Sequence, residues 1–271
     1  LQTADRADVI VAALGECSEM SGESASRTTL EIPDAQRDLL KALVKTGKPV
    51  VLLLFTGRPL VLTEEAVNIP SILNVWFGGS EAGDAIADVL FGKVNPSGKL
   101  TTSFPRSVGQ LPLYYNSHNT SRPDPDKNVF NRYTSNYLED SNEPLYPFGY
   151  GLSYTHFQYD NMVLSSNVLK KGEKLTVSVI VTNKGNYDGC EVVQLYLHDI
   201  YADVVRPVKE LKDFKRIFLK KGESREVRFV ITEEDLKFYN SNLQYIYETG
   251  DFEVMVGTNS RDVQSKTFFA E

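Results

Sequence analysis

Several features that would point to particular functions are scarce or missing in this sequence. The chain has 271 residues but only two cysteines, three histidines and one tryptophan. Cys17 and Cys190 lie far apart in sequence, so we expect two unpaired thiols rather than a disulfide, and no metal site. No apolar run approaches the roughly 18 residues that a membrane-spanning helix needs, and we therefore predict no membrane span.

An excess of positive charge is also missing. Acidic residues outnumber basic ones by 36 to 29, which gives a net charge of −7 and an isoelectric point near 5.2. A surface that binds nucleic acid normally shows as a basic excess, so we predict no nucleic-acid partner. The imbalance is too small and too dispersed to indicate a disordered acidic tail.

Two common catalytic patterns are absent as well. The sequence has no Gly-x-Ser-x-Gly nucleophile turn. Gly78-Gly79-Ser80 precedes a predicted helix and is placed to bind an anion, but it lacks the lysine and further glycines of a phosphate-binding loop. A tight strand-to-helix turn is the better interpretation, and a nucleotide-binding enzyme is not supported.

The first part of the chain alternates between strand and helix patterns. The predicted elements are, in order, a strand at 8–15, a helix from Pro33 to Gly47, strands at 49–55 and 71–77, and a helix at about 80–91. This order predicts an α/β domain with a mostly parallel sheet, over residues 1–112. The apolar run at 8–15 is typical of a strand buried on both faces. Because such strands seldom open a protein, we expect the chain to be a piece of a longer one.

The remainder of the chain changes texture twice. Residues 113–155 are rich in tyrosine, asparagine, proline and serine, and 119–126 is a clear loop. From 156 to 271 short segments alternate apolar and polar residues with period two, and glycines separate them. This pattern predicts an immunoglobulin-like β-sandwich of the fibronectin type III kind, and it contains no cluster of titratable residues that suggests a mechanism.

The loop that follows the first strand is the best candidate for a functional site. It carries the carboxylates Glu16, Glu19 and Glu23 and, four residues later, Arg27. Ligands of open α/β sheets gather at the carboxyl ends of the strands, where this loop begins. Spacing alone does not identify a reaction, and an exposed acidic loop is usually just solvated.

Several motifs, taken in order, resemble those of family 3 glycoside hydrolases of the β-glucosidase and β-xylosidase type. The matching residues of the α/β part are Gly15-Glu16, Ser21-Gly22-Glu23, Ser26-Arg27, Ile32-Pro33, Gln36, Gly78-Gly79-Ser80-Glu81-Ala82-Gly83, Leu90-Phe91-Gly92 and Asn95-Pro96-Ser97-Gly98-Lys99-Leu100 with Phe104-Pro105. Those of the junction and sandwich are Pro147 to Thr155, Glu191 to Tyr196 and Arg206 to Leu211. The resemblance covers essentially the whole chain.

The resemblance implies the second part of a retaining glycosidase. In that family an aspartate nucleophile on an N-terminal TIM barrel attacks the sugar, and a glutamate from the second domain protonates the leaving oxygen and later activates water. Glu23 occupies the matching Ser-Gly-Glu position and is the expected general acid/base. Glu19 and Glu16 are the runners-up. Arg27 is expected to pair with a loop carboxylate, or else to contact the substrate.

The chain departs from the family because it contains no barrel and therefore no nucleophile. We expect it to form an incomplete α/β sandwich, to be inactive alone, and to act with the barrel of the same enzyme on an oligosaccharide or other β-glycoside. The resemblance implies no cofactor and no metal, and a periplasmic or extracellular location. A non-catalytic carbohydrate-binding or interaction module is the main alternative, because the tyrosines between 114 and 154 suit either glycan binding or packing.

Overall fold

The computed structural model describes residues 1–120, 122–123 and 130–271. Part of the loop expected at 119–126 therefore lies outside the described residues. The chain forms two compact units, and each unit is built from three separate segments of the sequence. Unit 1 contains 1–91, 103–113 and 144–146, and unit 2 contains 92–102, 114–143 and 147–271. The boundaries expected at 112 and 155 stay a prediction.

Unit 1 contains a three-stranded parallel sheet with the order β1-β2-β3. Its elements are α1 (Gln2–Asp5), β1 (Ile10–Gly15), α2 (Asp34–Val44), β2 (Val50–Phe55), α3 (Thr63–Asn68), β3 (Ser71–Asn74) and α4 (Ala82–Leu90). The central strand β2 is the most buried, with Leu52 and Leu54 fully inaccessible, and Leu40 of α2 is buried as well. These apolar residues form the core that fixes the sheet beneath the candidate loop.

Three predictions for unit 1 need correction. The first strand is not buried on both faces, since Val9 and Val11 are 52% and 50% exposed. It is an edge strand of the three-stranded sheet, so only one of its sides is paired with another strand. A helix was missed, because α3 connects β2 to β3 and parallel neighbours require such a crossover. The third strand ends at Asn74 rather than at 77, because Trp76 has a positive φ of 53°, which extended chain does not adopt.

Unit 2 is the predicted β-sandwich. Its elements are β4 (Phe157–Leu164), β5 (Val168–Leu169), β6 (Leu175–Asn183), β7 (Gly189–Asp199), β8 (Glu210–Leu219), β9 (Ser224–Ile231), α5 (Glu233–Leu236), β10 (Phe238–Tyr239), β11 (Tyr245–Ile246), β12 (Gly250–Gly257) and β13 (Val263–Ala270). A five-stranded sheet, β5-β13-β12-β7-β8, and a three-stranded sheet, β4-β6-β9, enclose one apolar core. Alternate residues of β6 and β9 are buried, as the period of two predicted.

The segment 92–102 belongs to this second unit. Leu100 exchanges backbone hydrogen bonds with Gly149 and Tyr150 at 2.7 and 2.8 Å. Its neighbour Lys99 places Nζ 3.1 Å from Oε1 of Glu191, whose side chain is only 4% exposed. The hydroxyls of Tyr159 and Thr258 also donate to the same oxygen of Glu191, so Oε1 has three partners.

Both cysteines are free thiols, Cys17 exposed and Cys190 half-buried. Among the described residues, no helix has the length and apolar character needed to cross a bilayer.

Candidate active site

The candidate loop begins where β1 ends, at the carboxyl edge of the parallel sheet. Gly15 has a φ of 137°, and a Cβ there would stand 1.8 Å from the carbonyl oxygen of Phe55, so only glycine fits. The side-chain amide of Gln36 then grips the backbone of Gly15. It accepts a hydrogen bond from the N–H at 2.7 Å and donates one to the carbonyl at 3.0 Å. Helix α2 therefore fixes the point from which the loop departs.

Glu16, the first carboxylate, is buried. Its side chain is fully inaccessible and lies at the centre of a polar cluster. Oε1 accepts a hydrogen bond from Nη1 of Arg27 at 2.8 Å and lies 3.1 Å from Nε of Arg58. Oε2 accepts hydrogen bonds from the Thr56 hydroxyl at 2.9 Å and the Gly57 N–H at 3.1 Å. Each oxygen therefore has two donors or cations.

These partners set the charge of Glu16. Burial by itself raises the pKa of the carboxyl, but the hydrogen bonds from Arg27, Thr56 and Gly57, with the charge of Arg58, outweigh it. The net result is a pKa below the ordinary value of 4.5. Glu16 is therefore a fixed anion at neutral pH and holds two arginines in place.

Arg27 and Arg58 pass this anchoring on to the loop. Nη2 of Arg27 donates to the carbonyl of Glu31 at 3.0 Å, which ties down the end of the loop that leads into α2. Nη2 of Arg58 donates to two carbonyls, that of Met20 at 2.6 Å and that of Ala25 at 2.8 Å. The chain between these last two carbonyls is the four-residue segment 21–24, which we call the loop tip.

Glu23 lies in the loop tip and is exposed. It stands between two residues of positive φ, Gly22 at 115° and Ser24 at 59°, and the N–H of Ala25 donates to the carbonyl of Gly22 at 3.3 Å. This is a β-turn with a left-handed residue at its third position. The turn presents the Glu23 carboxylate to solvent, while Met20 and Ala25, just outside the loop tip, are held by the half-buried Arg58.

Glu19, the third carboxylate, lies in a short 3₁₀ turn, Ser18–Met20, and is also exposed. Hydrogen bonds from Ser18, then Cys17, then its own N–H lower its pKa below the ordinary value. Its carboxylate is therefore turned back on the local chain, in contrast to that of Glu23.

Sequence reasoning missed Arg58, which the structure shows to be central to this site. The turn Thr56-Gly57-Arg58-Pro59 follows β2, and parallel strands end at the same edge of the sheet. That placement was the available signal, because a loop after β2 must lie beside the loop after β1. A Cβ on Gly57 would stand 1.8 Å from Oγ of Ser21, so the two loops are packed in close contact.

Comparison with known proteins identifies the family. The model of the "Glycosyl hydrolase family 3 C-terminal domain" matches residues 1–154, and that of the "Fibronectin type III-like domain" matches residues 191–260. The chain belongs to glycoside hydrolase family 3. Its predicted fold class, an α/β part followed by a fibronectin type III-like sandwich, is confirmed by the same two matches.

Individual members of this family align along nearly the whole chain. It is 52% identical over 269 residues to a periplasmic beta-glucosidase of Salmonella typhimurium, covering 99% of this chain and 35% of the relative. A beta-xylosidase of Formosa agariphila is 43% identical, with 98% and 36% covered. The beta-glucosidase of Listeria innocua solved with isofagomine superposes with a TM-score of 0.94 at 45% identity, covering 99% of this chain and 38% of that structure. The chain thus spans about a third of the length of its relatives and carries the family's C-terminal portion.

Proposed function

We propose that this chain supplies the general acid/base carboxylate of a retaining, exo-acting β-glycosidase, and that Glu23 is that carboxylate. The observation that carries the proposal is the presentation of Glu23. It is exposed at the tip of a turn whose two ends are held by Arg58, at the sheet edge where α/β proteins bind ligands. A carboxylate that reacts with a bound substrate has to be accessible, and the backbone that carries it has to be held in place.

The other two carboxylates suit the role less well. A general acid has to be protonated when the substrate binds, which favours a raised pKa. Glu16 is inaccessible and its pKa is lowered, and the pKa of Glu19 is lowered as well. We therefore assign Glu16 to holding the loop and rank Glu23 first.

The proposed chemistry has two steps. In the first, the protonated Glu23 gives its proton to the glycosidic oxygen while a nucleophilic carboxylate attacks the anomeric carbon and the aglycone leaves. In the second, Glu23, now ionised, takes a proton from a water molecule that displaces the sugar from the nucleophile. Retaining enzymes hold the two carboxyl groups about 5–5.5 Å apart.

We propose that the nucleophile comes from an N-terminal TIM barrel of the same enzyme, and that terminal β-linked glucose is the sugar removed. The names of relatives support this proposal, since several are beta-glucosidases, although others are beta-xylosidases. The Salmonella relative is named periplasmic, which supports a periplasmic or extracellular location.

Arg27 is proposed to hold the loop. Its guanidinium binds Glu16 and the carbonyl of Glu31, and this engagement favours a structural role. Direct contact between Arg27 and substrate stays a prediction.

The test replaces Glu23 with alanine in the full-length enzyme that contains this chain. We expect kcat/KM for an unactivated disaccharide to fall by about 100- to 10,000-fold, because proton transfer to a poor leaving group is lost. For a 2,4-dinitrophenyl glycoside the fall should be less than about tenfold, since that leaving group needs little protonation. Azide should restore turnover of the activated substrate by attacking the glycosyl-enzyme.

Glu19→Ala is the matched control, because it removes an exposed carboxylate from the same loop. It should leave the dependence on leaving group unchanged. If Glu19→Ala shows the selective loss and azide rescue while Glu23→Ala does not, the assignment to Glu23 is wrong. Robust hydrolysis of an aryl β-glycoside by residues 1–271 alone would show that no separate barrel is needed.

A further inference from the structure

Arg58 makes an unusual set of contacts for an arginine in a short turn. Both hydrogens of a single nitrogen, Nη2, go to backbone carbonyls, that of Met20 at 2.6 Å and that of Ala25 at 2.8 Å. Those carbonyls stand immediately before and after the loop tip. One nitrogen therefore sets the distance between the two ends of the turn that carries Glu23.

The guanidinium is itself held in place from the other side. Its Nε lies 3.1 Å from Oε1 of the buried Glu16, an ion pair without hydrogen-bond geometry, and the Arg58 side chain is 22% exposed. Glu16 also accepts hydrogen bonds from the Thr56 hydroxyl and the Gly57 N–H. The two residues before Arg58 and the Arg58 guanidinium therefore contact the same carboxylate. The planar guanidinium, with its donors in a fixed fork, transmits that fixed position to the two carbonyls.

Little else that the structure describes restrains the loop tip. The Ala25 N–H to Gly22 carbonyl hydrogen bond is long, at 3.3 Å, and Ser24 holds a left-handed conformation that is strained for a serine. The contact of Ser21 with Gly57 comes from the same turn as Arg58. A strained turn with one weak internal hydrogen bond needs an external clamp to keep one conformation.

We infer that Arg58 is a positioning residue for the acid/base carboxylate, and that it acts by fixing the two ends of the loop tip rather than by touching substrate. The inference rests on the proposed role of Glu23. A displacement of about 1 Å in a reacting group is enough to cost about 100-fold in rate. Loss of the clamp should therefore appear in proton transfer to the leaving group.

The experiment compares Arg58→Gln, Arg58→Lys and Glu23→Ala in the full-length enzyme, with the amount of active enzyme counted by trapping the glycosyl-enzyme. For Arg58→Gln we expect kcat/KM to fall by about 10- to 100-fold on an unactivated disaccharide and by less than about threefold on a 2,4-dinitrophenyl glycoside. Arg58→Lys keeps a positive charge beside Glu16 without the fork, so it should fold and recover only part of the loss. Added to Glu23→Ala, Arg58→Gln should cause no further loss on the unactivated substrate.

Arg37→Gln is the matched control. It also removes an arginine and its ion pairs, here with Glu31 and Glu64, but Arg37 binds neither Met20 nor Ala25. Arg37→Gln should lower kcat/KM for both substrates by the same factor or leave both unchanged. A merely structural role for Arg58 would give that same uniform result and would overturn the inference while Glu23→Ala kept its selective loss. If Glu23→Ala itself lacks the selective loss, the proposed role of Glu23 fails first and the inference falls with it.

Discussion

Glu16 of unit 1 and Asp199 of unit 2 are both carboxylates withdrawn from water, yet their pKa values move in opposite directions. Burial raises the pKa in both cases. Around Glu16 the donors Arg27, Thr56 and Gly57 and the charge of Arg58 reverse that effect. Burial acts in the same direction on both carboxylates, so the difference comes from the donors and charges that the surrounding chain supplies.

Asp199 has much weaker support. Burial is the largest influence on it. The charge of Arg206 and a hydrogen bond from the Tyr201 backbone oppose burial, the negative charges of Glu248 and Glu210 reinforce it, and the pKa rises to about 6. Its Oδ2 is inaccessible and has no hydrogen-bond partner among the residues that the structure describes. Glu16 is thus an anion at neutral pH that organises a loop, whereas Asp199 is a carboxylate whose burial lowers the stability of the fold at neutral pH.

The largest change in stability should come from removing Glu16, the carboxylate with more hydrogen-bond donors around it. Glu16→Ala leaves two arginines, the Thr56 hydroxyl and the Gly57 N–H without their common acceptor, and we expect it to lower the free energy of unfolding by about 3–5 kcal/mol. Because the folded pKa is lowered, the stabilisation from Glu16 is present above about pH 4.5 and is lost as the pH falls below it. Urea unfolding of wild type and variant at pH 7 and pH 3.5 measures this, and an equal difference at both values would contradict it.

A smaller effect of opposite sign is expected for Asp199→Asn. The raised pKa means that the folded state binds the proton more tightly, so stability falls as the pH rises from about 4 to about 6. The neutral amide avoids that loss. After allowance for solvent screening of this half-buried group, it should stabilise the protein by about 1 kcal/mol at pH 7. The gain should vanish near pH 4, and destabilisation by the amide at pH 7 would show that the attraction of Arg206 for the charged Asp199 outweighs the cost of burial.

The smallest effect is expected where the carboxylate is exposed. Glu19→Ala removes a charge from the same loop as Glu16, but the side chain is in water and makes only local hydrogen bonds. Its urea midpoint should match that of the wild type within the error of the measurement. A clear shift would mean that membership of the loop, rather than burial, decides the cost.

Much of this fold could be predicted from the sequence because periodicity reports directly on local structure. The alternation in β6 and β9 and the apolar run of β2 correspond to strands, and the stripe after Pro33 to helix α2. Helix α3 was missed because its six residues are too few to show a 3.6-residue period. The exposure of Val11 was also missed, because an apolar residue in a sequence shows only that it can be buried, not that something covers it.

The candidate site was only partly predictable, for a similar reason. The loop after β1 was found from its place in the chain, and Glu23 was singled out by family resemblance. Arg58 escaped notice because it lies 33 residues beyond Ala25, and nothing local to Arg58 reveals which carbonyls it binds. Contacts of that separation come from strand order, which a sequence pattern does not state.

The pairing of Lys99 with Glu191 limits how this architecture can be recombined. Lys99 comes before the first strand of the sandwich, which starts at Phe157, and segments 103–113 and 144–146 of the other unit intervene. A gene fragment that began at residue 156 would encode every strand of the two sheets but would leave a buried carboxylate without its cation. The sandwich therefore cannot be moved to another protein by a single cut before its first strand without losing a partner of this buried carboxylate. Successful transfer would have to carry the lysine-bearing segment with it.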